Sequence, residues 1–178
     1  MKKDLKILKA KPEFAREITL VNYKTWLTTY PNKKYRITAA DITFAFKKRL
    51  SKKSIKELEA KIRNPKNEFK RFVAKFDNRI VGICNIAIEK DKNRLASIYV
   101  LPKYQGRGIG LALWKSVSKF IRNKNKTILN VATYNVNAIN FYKKLGFVKI
   151  GKRFTDEKFK MRNGALIPEI EMVLKKNN

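Results

Sequence analysis

The sequence contains no histidine, and that absence excludes several classes of chemistry at once. A Ser-His-Asp triad, a His–Cys pair, a histidine general base and histidine metal ligands each need a residue that the chain does not have. Acid–base chemistry must therefore come from Glu, Asp, Tyr, Lys, bound water or a chain terminus. Cysteine is nearly absent as well. Cys84 is the single one, so neither an internal disulfide nor a thiolate metal cluster can form, and we expect Cys84 to be buried in a strand.

Acidic residues are scarce: 14 Asp and Glu stand against 43 Lys and Arg, for a formal net charge of +29. Two interpretations stay open, a lysine-rich composition with solvated side chains, or attraction to a polyanion such as ribosomal RNA, nucleic acid or an acidic protein. The basic runs, such as 47–49, 52–53 and 143–144, are scattered and lack the aromatic platform of a single-strand binder. Nucleic acid as the main ligand is therefore weakly supported.

Long apolar runs are missing too. No segment reaches the roughly 18 to 20 apolar residues of a membrane span, and the N-terminus lacks the apolar core of a signal peptide. We therefore expect a cytoplasmic protein with no membrane partner. A length of 178 residues with 44% hydrophobic residues predicts a single domain over 1–178 with a real core.

The most informative segment that is present runs from Leu95 to Phe147. It reads as a strand, the loop Gln105–Gly110 (the glycine loop), a helix, a second strand and a second helix. A glycine-rich turn between a strand and a helix exposes free backbone N–H groups at the positive end of the helix dipole. Such a turn binds phosphate groups without needing any side chain.

Two familiar phosphate-binding motifs do not fit the glycine loop. A nucleoside-triphosphate P-loop needs Lys and Ser or Thr after its last glycine, but Leu111 and Ala112 follow Gly110. A dinucleotide-binding turn needs a third glycine and an acid about 20 residues further on. Leu113 takes the place of that glycine, and the strand Thr127–Thr133 carries no acid.

Three blocks of sequence instead carry a resemblance to one family. They are the spacing Gln-x-x-Gly-x-Gly in the glycine loop, the strand Ser97–Pro102 before it, and the block from Asn135 to Phe147 that ends Phe-Tyr-x-x-Leu-Gly-Phe. Together they resemble the GCN5-related N-acetyltransferases, which bind acetyl-CoA, and among these the ribosomal-protein-alanine and PaiA-like acetyltransferases. The resemblance implies a mixed α+β fold with three α/β/α layers: a central, mostly antiparallel sheet of six or seven strands and about four helices.

The order of elements read along the chain agrees with that fold. We predict a strand at 5–8, a helix at 12–28, one or two helices from Thr38 or Asp41 to about residue 63, and a meander of strands at 69–76, 79–88 and 94–101. A helix at 108–122 should lead to a parallel strand at 127–133. A last helix capped by Asn135 and ended by Gly146 precedes a closing hairpin, 147–154 and 165–174, with Pro168 at an edge or bulge.

The resemblance also implies which residues meet acetyl-CoA. Backbone amides of the family's fourth strand engage the pantetheine arm, and loop amides hold the pyrophosphate, while a residue at position 107 adds a cation. An asparagine at the start of the last helix contacts the cofactor, although simple helix capping explains Asn135 almost as well. The implied cofactor-binding residues are Ile98, Tyr99, Val100 and Leu101 in the strand, Gln105, Gly106, Arg107, Gly108, Ile109 and Gly110 in the loop, and Asn135, Asn137 and Tyr142 in the last helix.

Tyr142 aligns with the family tyrosine that protonates the departing CoA thiolate. A phenol is protonated at neutral pH and can donate to a sulfur leaving group. The alternative is a plain core aromatic, since Ala138 and Leu145 share its helix face. The general base is open: Arg94 stands where many relatives carry a Glu, and Glu89, Asp91 or an ordered water are the candidates.

Acceptor selection in the family belongs to the first two helices, the loop between them and the closing hairpin. That surface offers aromatic residues, which could equally pack the helices onto the sheet. A protein of charge +29 repels a cationic substrate unless carboxylates line its pocket, so we rank a protein N-terminus or small neutral amine above spermidine. The aromatic residues are Trp26, Tyr30, Tyr35, Phe44 and Phe46, and the few nearby acids are chiefly Glu13, Glu17 and Asp41.

The sequence thus predicts an acetyl-CoA-dependent N-acetyltransferase that transfers the acetyl group by direct attack of a primary amine in a ternary complex. Its expected partners are acetyl-CoA as cosubstrate and the amine acceptor. An acidic protein or the ribosome surface is a further candidate partner, and the sequence is compatible with an oligomer. Two alternatives remain: a CoA-binding module of the same fold without turnover, and a ribosome- or nucleic-acid-associated protein.

Overall fold

The computed structural model describes residues 5–65 and 68–175. It contains seven strands and five α-helices, joined in places by short 3-10 turns. The strands are β1 Leu5–Lys9, β2 Phe69–Phe76, β3 Arg79–Ile88, β4 Lys92–Val100, β5 Lys126–Ala132, β6 Phe147–Thr155 and β7 Pro168–Leu174. The helices are α1 Ala15–Thr29, α2 Ala39–Arg49, α3 Lys52–Arg63, α4 Ile109–Ser118 and α5 Val136–Lys144.

The strands form one sheet in the order β1-β2-β3-β4-β5-β7-β6. Every neighbouring pair is antiparallel except β4 and β5, which run parallel, as the helical connection between them predicts. The predicted fold class is confirmed. The helices number five rather than about four, because the region from Thr38 to Arg63 divides at Leu50 and Ser51 into two helices.

Helices cover both faces of the sheet and create separate apolar cores. On one face α4 and α5 pack Leu113, Val117 and Ile139 against the strands. On the other face Ile18 of α1 and Ile55 of α3 pack against the sheet. A third core lies where α1 meets α2, and it is built on Trp26, Tyr30, Ile37, Ile42, Phe46, Ala132, Met161 and Ile167.

Local signals in the sequence set several boundaries. Both predicted capping residues at α2 take part: the Thr38 hydroxyl accepts from the Asp41 N–H at 3.2 Å, and the Asp41 carboxylate accepts from the Thr38 N–H at 2.9 Å. Asp77 and Asn78 both have positive φ, 45° and 64°, and make the predicted two-residue hairpin between β2 and β3. The predicted bounds of β2 and β3 are those observed.

Two predictions differ from the structure, one at the end of α4 and one at Pro168. The helix predicted over 108–122 ends at Ser118, since the buried side chain of Asn93 donates to the carbonyl of Arg122 at 3.1 Å and accepts from its N–H at 3.2 Å. Those bonds hold the last predicted turn out of the helix. Pro168 is the first residue of β7, an interior strand, where its missing N–H interrupts no ladder.

Within the two described ranges, no helix has the length and apolarity needed to cross a bilayer.

Candidate active site

The site begins where two parallel strands separate. β4 and β5 pair only from Lys92 with Lys126 to Arg94 with Ile128. Beyond that point β4 follows β3 and β5 follows β7, so a wedge-shaped gap opens in the middle of the sheet. A shift of register in β3 and β4 leaves Ala96 without a partner in β3, a bulge that bends β4 beside the gap.

The gap continues into a cleft of about 810 Å³ that reaches the glycine loop and the start of α5. Every predicted cofactor-binding residue lines it except Leu101 and Arg107. The guanidinium of Arg107 lies 5.7 Å from the ring centre of Tyr104. The predicted residues that the cleft brings together are Ile98, Tyr99, Val100, Gln105, Gly106, Gly108, Ile109, Gly110, Asn135, Asn137 and Tyr142.

The glycine loop requires glycine for its backbone conformation. Gly106 and Gly108 have φ of 73° and 76°, in the left-handed region, and a Cβ on either would meet no atom within 4 Å. Gly108 is the N-cap of α4, whose first N–H groups have no acceptors inside the helix. The loop therefore offers open space and free donors at the positive end of a helix, which suits the phosphate groups of CoA.

Close packing fixes the loop against its neighbours. The Gln105 side chain donates to the carbonyl of Val100 at 2.9 Å, which ties the loop to the end of β4. A Cβ on Gly110 would lie 3.2 Å from the ring of Phe141, so the absence of a side chain lets α4 approach α5. The loop, β4 and α5 are thereby held as one wall of the cleft.

The position of Tyr142 is compatible with both of the alternatives that the sequence left open. Its side chain is buried, with its ring centre 5.9 Å from that of Phe147, yet it also lines the cleft. The backbone of Ile98 hydrogen-bonds its phenol group. Burial raises the pKa of Tyr142 well above its usual value, so the hydroxyl remains protonated at neutral pH and can act as a proton donor.

The predicted cap at α5 is confirmed. Asn135 accepts a hydrogen bond from the N–H of Ala138 at 3.1 Å through its side-chain oxygen, while the residue also lines the cleft. Capping and cofactor contact are therefore compatible at this position. Asn137, two residues further along the chain in the first turn of α5, lines the cleft as well.

On the α1 side of β4 three tyrosines form what we call the tyrosine cluster: Tyr30, Tyr99 and Tyr134, all of which line the cleft. The indole N–H of Trp26 donates to the Tyr99 hydroxyl at 3.2 Å, and the hydroxyls of Tyr99 and Tyr30 lie 3.4 Å apart. Tyr134 donates to the carbonyl of Tyr30 at 2.9 Å. Burial is the largest cause of the raised pKa of each tyrosine in the cluster. The pKa of Tyr134 is raised to about 12.

Glu169, a residue that no sequence motif indicates, lies near the tyrosine cluster. It is 8% exposed, and burial, followed by the nearby charge of Asp156, raises its pKa to about 7. In the sequence Pro168-Glu169-Ile170-Glu171 alternates apolar and acidic residues, which is the pattern of a strand with one solvated face. No local signal in the sequence distinguishes Glu169 from Glu171, because burial depends on the assembled fold.

The acidic candidates named from the sequence lie elsewhere. Glu89 is at the closed end of the β4–β5 pair, where its carboxylate pairs with Arg94 at 3.1 Å and with Lys92 at 3.6 Å. Neither Glu89 nor Asp91 lines the cleft. Cys84 is buried in β3, as predicted, and burial raises the pKa of its thiol well above the usual value.

Of the five aromatic residues proposed for acceptor selection, one lines the cleft and the other four do not. Trp26 and Phe46 are buried in the core, and Tyr30 alone of the five lines the cleft. Tyr35 stacks on Tyr134 with ring centres 5.3 Å apart. Phe44 is 53% exposed and lines a separate surface groove rather than the cleft.

Comparison with known proteins identifies the family to which this fold and cleft belong. A family model described as "Acetyltransferase (GNAT) domain" matches residues 31–163. An N-alpha-acetyltransferase of Sulfurisphaera tokodaii is 35% identical over 94 residues, which cover 44% of this chain and 56% of the relative. The chain thus spans about half the length of this curated relative.

Two solved structures share the fold. The PaiA N-acetyltransferase of Thermoplasma acidophilum, in complex with coenzyme A, superposes with a TM-score of 0.74 at 20% identity, covering 97% of this chain and 99% of the other. The ribosomal-protein-S18-alanine N-acetyltransferase of Escherichia coli gives 0.63 at 18% identity, covering 96% and 93%. With the family model matched across most of its length, the chain belongs to the GNAT acetyltransferase family.

Proposed function

We propose that the protein is an acetyl-CoA-dependent N-acetyltransferase, acting through a single domain that spans 1–178, which moves an acetyl group to a primary amine. The observation that carries this proposal is the convergence of three features on one cleft. They are the glycine loop, the unpaired edge of β4 and the buried hydroxyl of Tyr142. The S. tokodaii relative, named an N-alpha-acetyltransferase, supports the same activity.

The donor end of the cleft consists of the glycine loop and β4. The loop amides are suited to the pyrophosphate of acetyl-CoA, and the part of β4 from Ile98 to Val100 offers backbone groups along the gap to its pantetheine arm. The coenzyme A in the T. acidophilum structure supports this choice of cosubstrate. Arg107, at the outer side of the loop, adds a cation for the CoA phosphates.

The transfer itself needs few groups from the protein. A neutral amine nitrogen attacks the thioester carbonyl carbon, a C–N bond forms and the C–S bond breaks. Tyr142 then donates its phenolic proton to the departing thiolate. Backbone N–H groups beside the bulge of β4 stabilise the negative charge that develops on the carbonyl oxygen. The attack is direct, in a ternary complex, since Cys84 is buried away from the solvent with a protonated thiol.

For the acceptor we propose a protein or peptide N-terminus. The S. tokodaii relative is named for acetylating α-amines, and the E. coli structure is named for a ribosomal-protein alanine. The charge of +29 also disfavours a polycation such as spermidine and favours an acidic protein or the ribosome surface as the place where the acceptor is met.

Free thiol release from acetyl-CoA tests the proposal directly, with a panel of peptides bearing different N-terminal residues, amino acids, an aminoglycoside and spermidine. We expect release that depends on a peptide N-terminus. Release with spermidine that persists at high salt contradicts the proposed acceptor but keeps the reaction. If acetyl-CoA binds and no acceptor promotes release, the protein is a CoA-binding module. RNA affinity that is steeply salt-dependent and indifferent to CoA supports the nucleic-acid alternative.

A further inference from the structure

We propose that Ser97 of β4 binds the acceptor, by donating a hydrogen bond from its hydroxyl to the first carbonyl oxygen of a peptide. The proposal rests on the proposed function and deepens it, since it names the group that distinguishes a peptide N-terminus from a simple amine. In a peptide a single carbon atom separates that carbonyl from the attacking amine nitrogen, so a donor that holds the oxygen also positions the nitrogen. Ser97 lines the cleft and directly precedes Ile98, whose backbone bonds the phenol group of Tyr142.

A row of three polar side chains crosses the sheet and ends at Ser97. Arg71 of β2 lies opposite Asn85 of β3, and Asn85 lies opposite Ser97 of β4. Residues directly opposite each other share a face of the sheet. Val73 and Ile83, each two residues away along their strands, pack in the core beneath α1 and α3. The row therefore lies on the α1 side of the sheet, on the opposite face from α4 and α5.

Arg71 fixes the orientation of the Asn85 side chain. A guanidinium has only donors, so the Arg71 Nε, which lies 2.8 Å from the Asn85 Oδ1, must face the amide oxygen and not the amide nitrogen. The amide nitrogen of Asn85 then faces the Ser97 hydroxyl at 2.7 Å. Because an amide nitrogen can only donate, the Ser97 oxygen accepts this bond. In the described parts of the chain the Ser97 hydroxyl donates to no other group, so its proton is left for a group in the cleft.

Three hydroxyls on the same side of the cleft, by contrast, are already used as donors. Thr25 and Thr28 donate to carbonyl groups of their own helix, at 2.8 Å and 3.1 Å. Tyr134 donates to the carbonyl of Tyr30 at 2.9 Å. These hydroxyls can offer only lone pairs to an acceptor molecule. A carbonyl oxygen needs a donor, and Ser97 supplies one beside the gap in the sheet.

The cleft is lined by neutral side chains. Among the described residues that line it there is no Asp, Glu, Lys or Arg, although the chain has 43 basic residues. The carboxylate of a free amino acid would lose its hydrating water there without meeting a cation, and the second ammonium group of a polyamine would meet no carboxylate. A peptide carbonyl requires only a neutral donor. The acceptor that fits is therefore an amine followed by an uncharged peptide group.

The test compares two acceptors in the wild type and in S97A, with acetyl-CoA as the donor. One acceptor is the peptide that gives the fastest thiol release. The other is the same peptide with a trans carbon–carbon double bond in place of its first peptide group, which keeps the shape and removes the carbonyl oxygen. For each acceptor the quantity of interest is kcat/KM in the wild type divided by kcat/KM in S97A, because the different basicity of the two amines cancels in this ratio.

For the peptide we expect a ratio of about 10, chiefly through KM, because the carbonyl bond is the same before and during the transfer. For the double-bond analogue we expect a ratio of about 1, and the Kd of acetyl-CoA should not change. S97T keeps a hydroxyl and should restore most of the kcat/KM for the peptide. S116A is the matched control, because Ser116 donates to the carbonyl of Ala112 within α4, outside the cleft, and this variant should behave as the wild type with both acceptors.

N85D reverses the hydrogen bond without removing Ser97. A carboxylate at this position can still accept from Arg71, but it also accepts from the Ser97 hydroxyl, so the serine proton turns away from the cleft. We therefore expect N85D to lose about 10-fold in kcat/KM for the peptide and to change little with the double-bond analogue. If Asn85 only supports the fold, N85D affects both acceptors equally.

The outcomes separate this inference from the proposed function. A wild type that turns over, with S97A showing a peptide ratio of about 1 or equal ratios for the two acceptors, overturns the role of Ser97 while acetyl transfer stands. A raised Kd of acetyl-CoA in S97A assigns the hydroxyl to the cosubstrate and overturns that role as well. If S97A does not fold, N85D decides by the same comparison. A wild type that binds acetyl-CoA but releases no thiol with any acceptor overturns the proposed function and this inference with it.

Discussion

The two ends of the cleft present different kinds of chemical group, backbone groups at one end and side chains at the other. The end that we propose for acetyl-CoA, the donor end, offers backbone groups from one stretch, 98–110, whose Gly106 and Gly108 are needed for the loop conformation. The end that we propose for the amine, the acceptor end, offers side chains from α1, β4 and the segment after β5, with Glu169 on the neighbouring strand β7. A backbone site tolerates most side-chain changes, whereas a side-chain site depends on single hydroxyls.

The largest effect is expected at Tyr142, where the two ends meet. Y142F removes one hydroxyl, so kcat should fall about 100-fold while the Kd of acetyl-CoA changes less than about 2-fold. Steady-state thiol release and calorimetric titration measure the two quantities. The control is Y23F, which removes a hydroxyl that is 3.1 Å from Thr43 on the surface. An unchanged kcat in Y142F means that Tyr142 is a core aromatic.

The next effect is on stability and concerns the acceptor end. The folded-state pKa of Glu169, about 7, lies above the ordinary value of 4.5, so between these values the native state binds more protons than the unfolded state. Stability should therefore fall as pH rises through this window, by about 2 kcal/mol between pH 5 and pH 8.

Urea denaturation at both pH values measures that loss. E169Q should lack this component of the pH dependence, while E171Q should retain it. If the free energy of unfolding depends on pH equally in the wild type and E169Q, the pKa of Glu169 is not raised in the folded protein.

A smaller effect is expected at the donor end. G108A places a Cβ at a φ of 76°, and G164A does so at 82°, each with open space around the new atom. Both variants should lose about 1 kcal/mol of stability, for the same conformational reason. Only G108A should also weaken acetyl-CoA binding, by about 10-fold, because the shift disturbs the N–H groups at the start of α4. Equal affinities in the two variants mean that the glycine loop does not hold the phosphates.

The smallest effect is expected at Gln105, which supports the loop without belonging to its backbone. Q105A removes the hydrogen bond to the carbonyl of Val100, and we expect a loss of about 0.5 to 1 kcal/mol of stability. The Kd of acetyl-CoA should rise about 2-fold to 3-fold, with kcat unchanged. A larger loss of affinity assigns the Gln105 side chain itself to the ligand.

Local patterns predicted much of the fold. Alternation and the Asp77-Asn78 turn gave the bounds of β2 and β3, and the Thr38–Asp41 box gave the start of α2. The end of α4 could not be predicted, because Asn93 holds Arg122 out of the helix from 29 residues away. Hydrogen bonds between distant residues override a local periodicity that would otherwise continue.

The candidate site divides in the same way. The glycine loop, Asn135 and Tyr142 were predicted because neighbours in the sequence are neighbours in the site. Glu89 and Asp91, the acidic residues that the sequence places at the hairpin before β4, lie at the closed end of the β4–β5 pair.

The sequence by itself determined the donor end of this protein, since backbone conformation there follows from glycines, a strand and a helix start that are contiguous. The tertiary structure alone decided the acceptor end. Trp26, Tyr99 and Glu169 come from three distant parts of the chain, and the pKa of Glu169 is raised chiefly by its burial. Burial is a property of the assembled fold, so no pattern in β7 could separate Glu169 from Glu171.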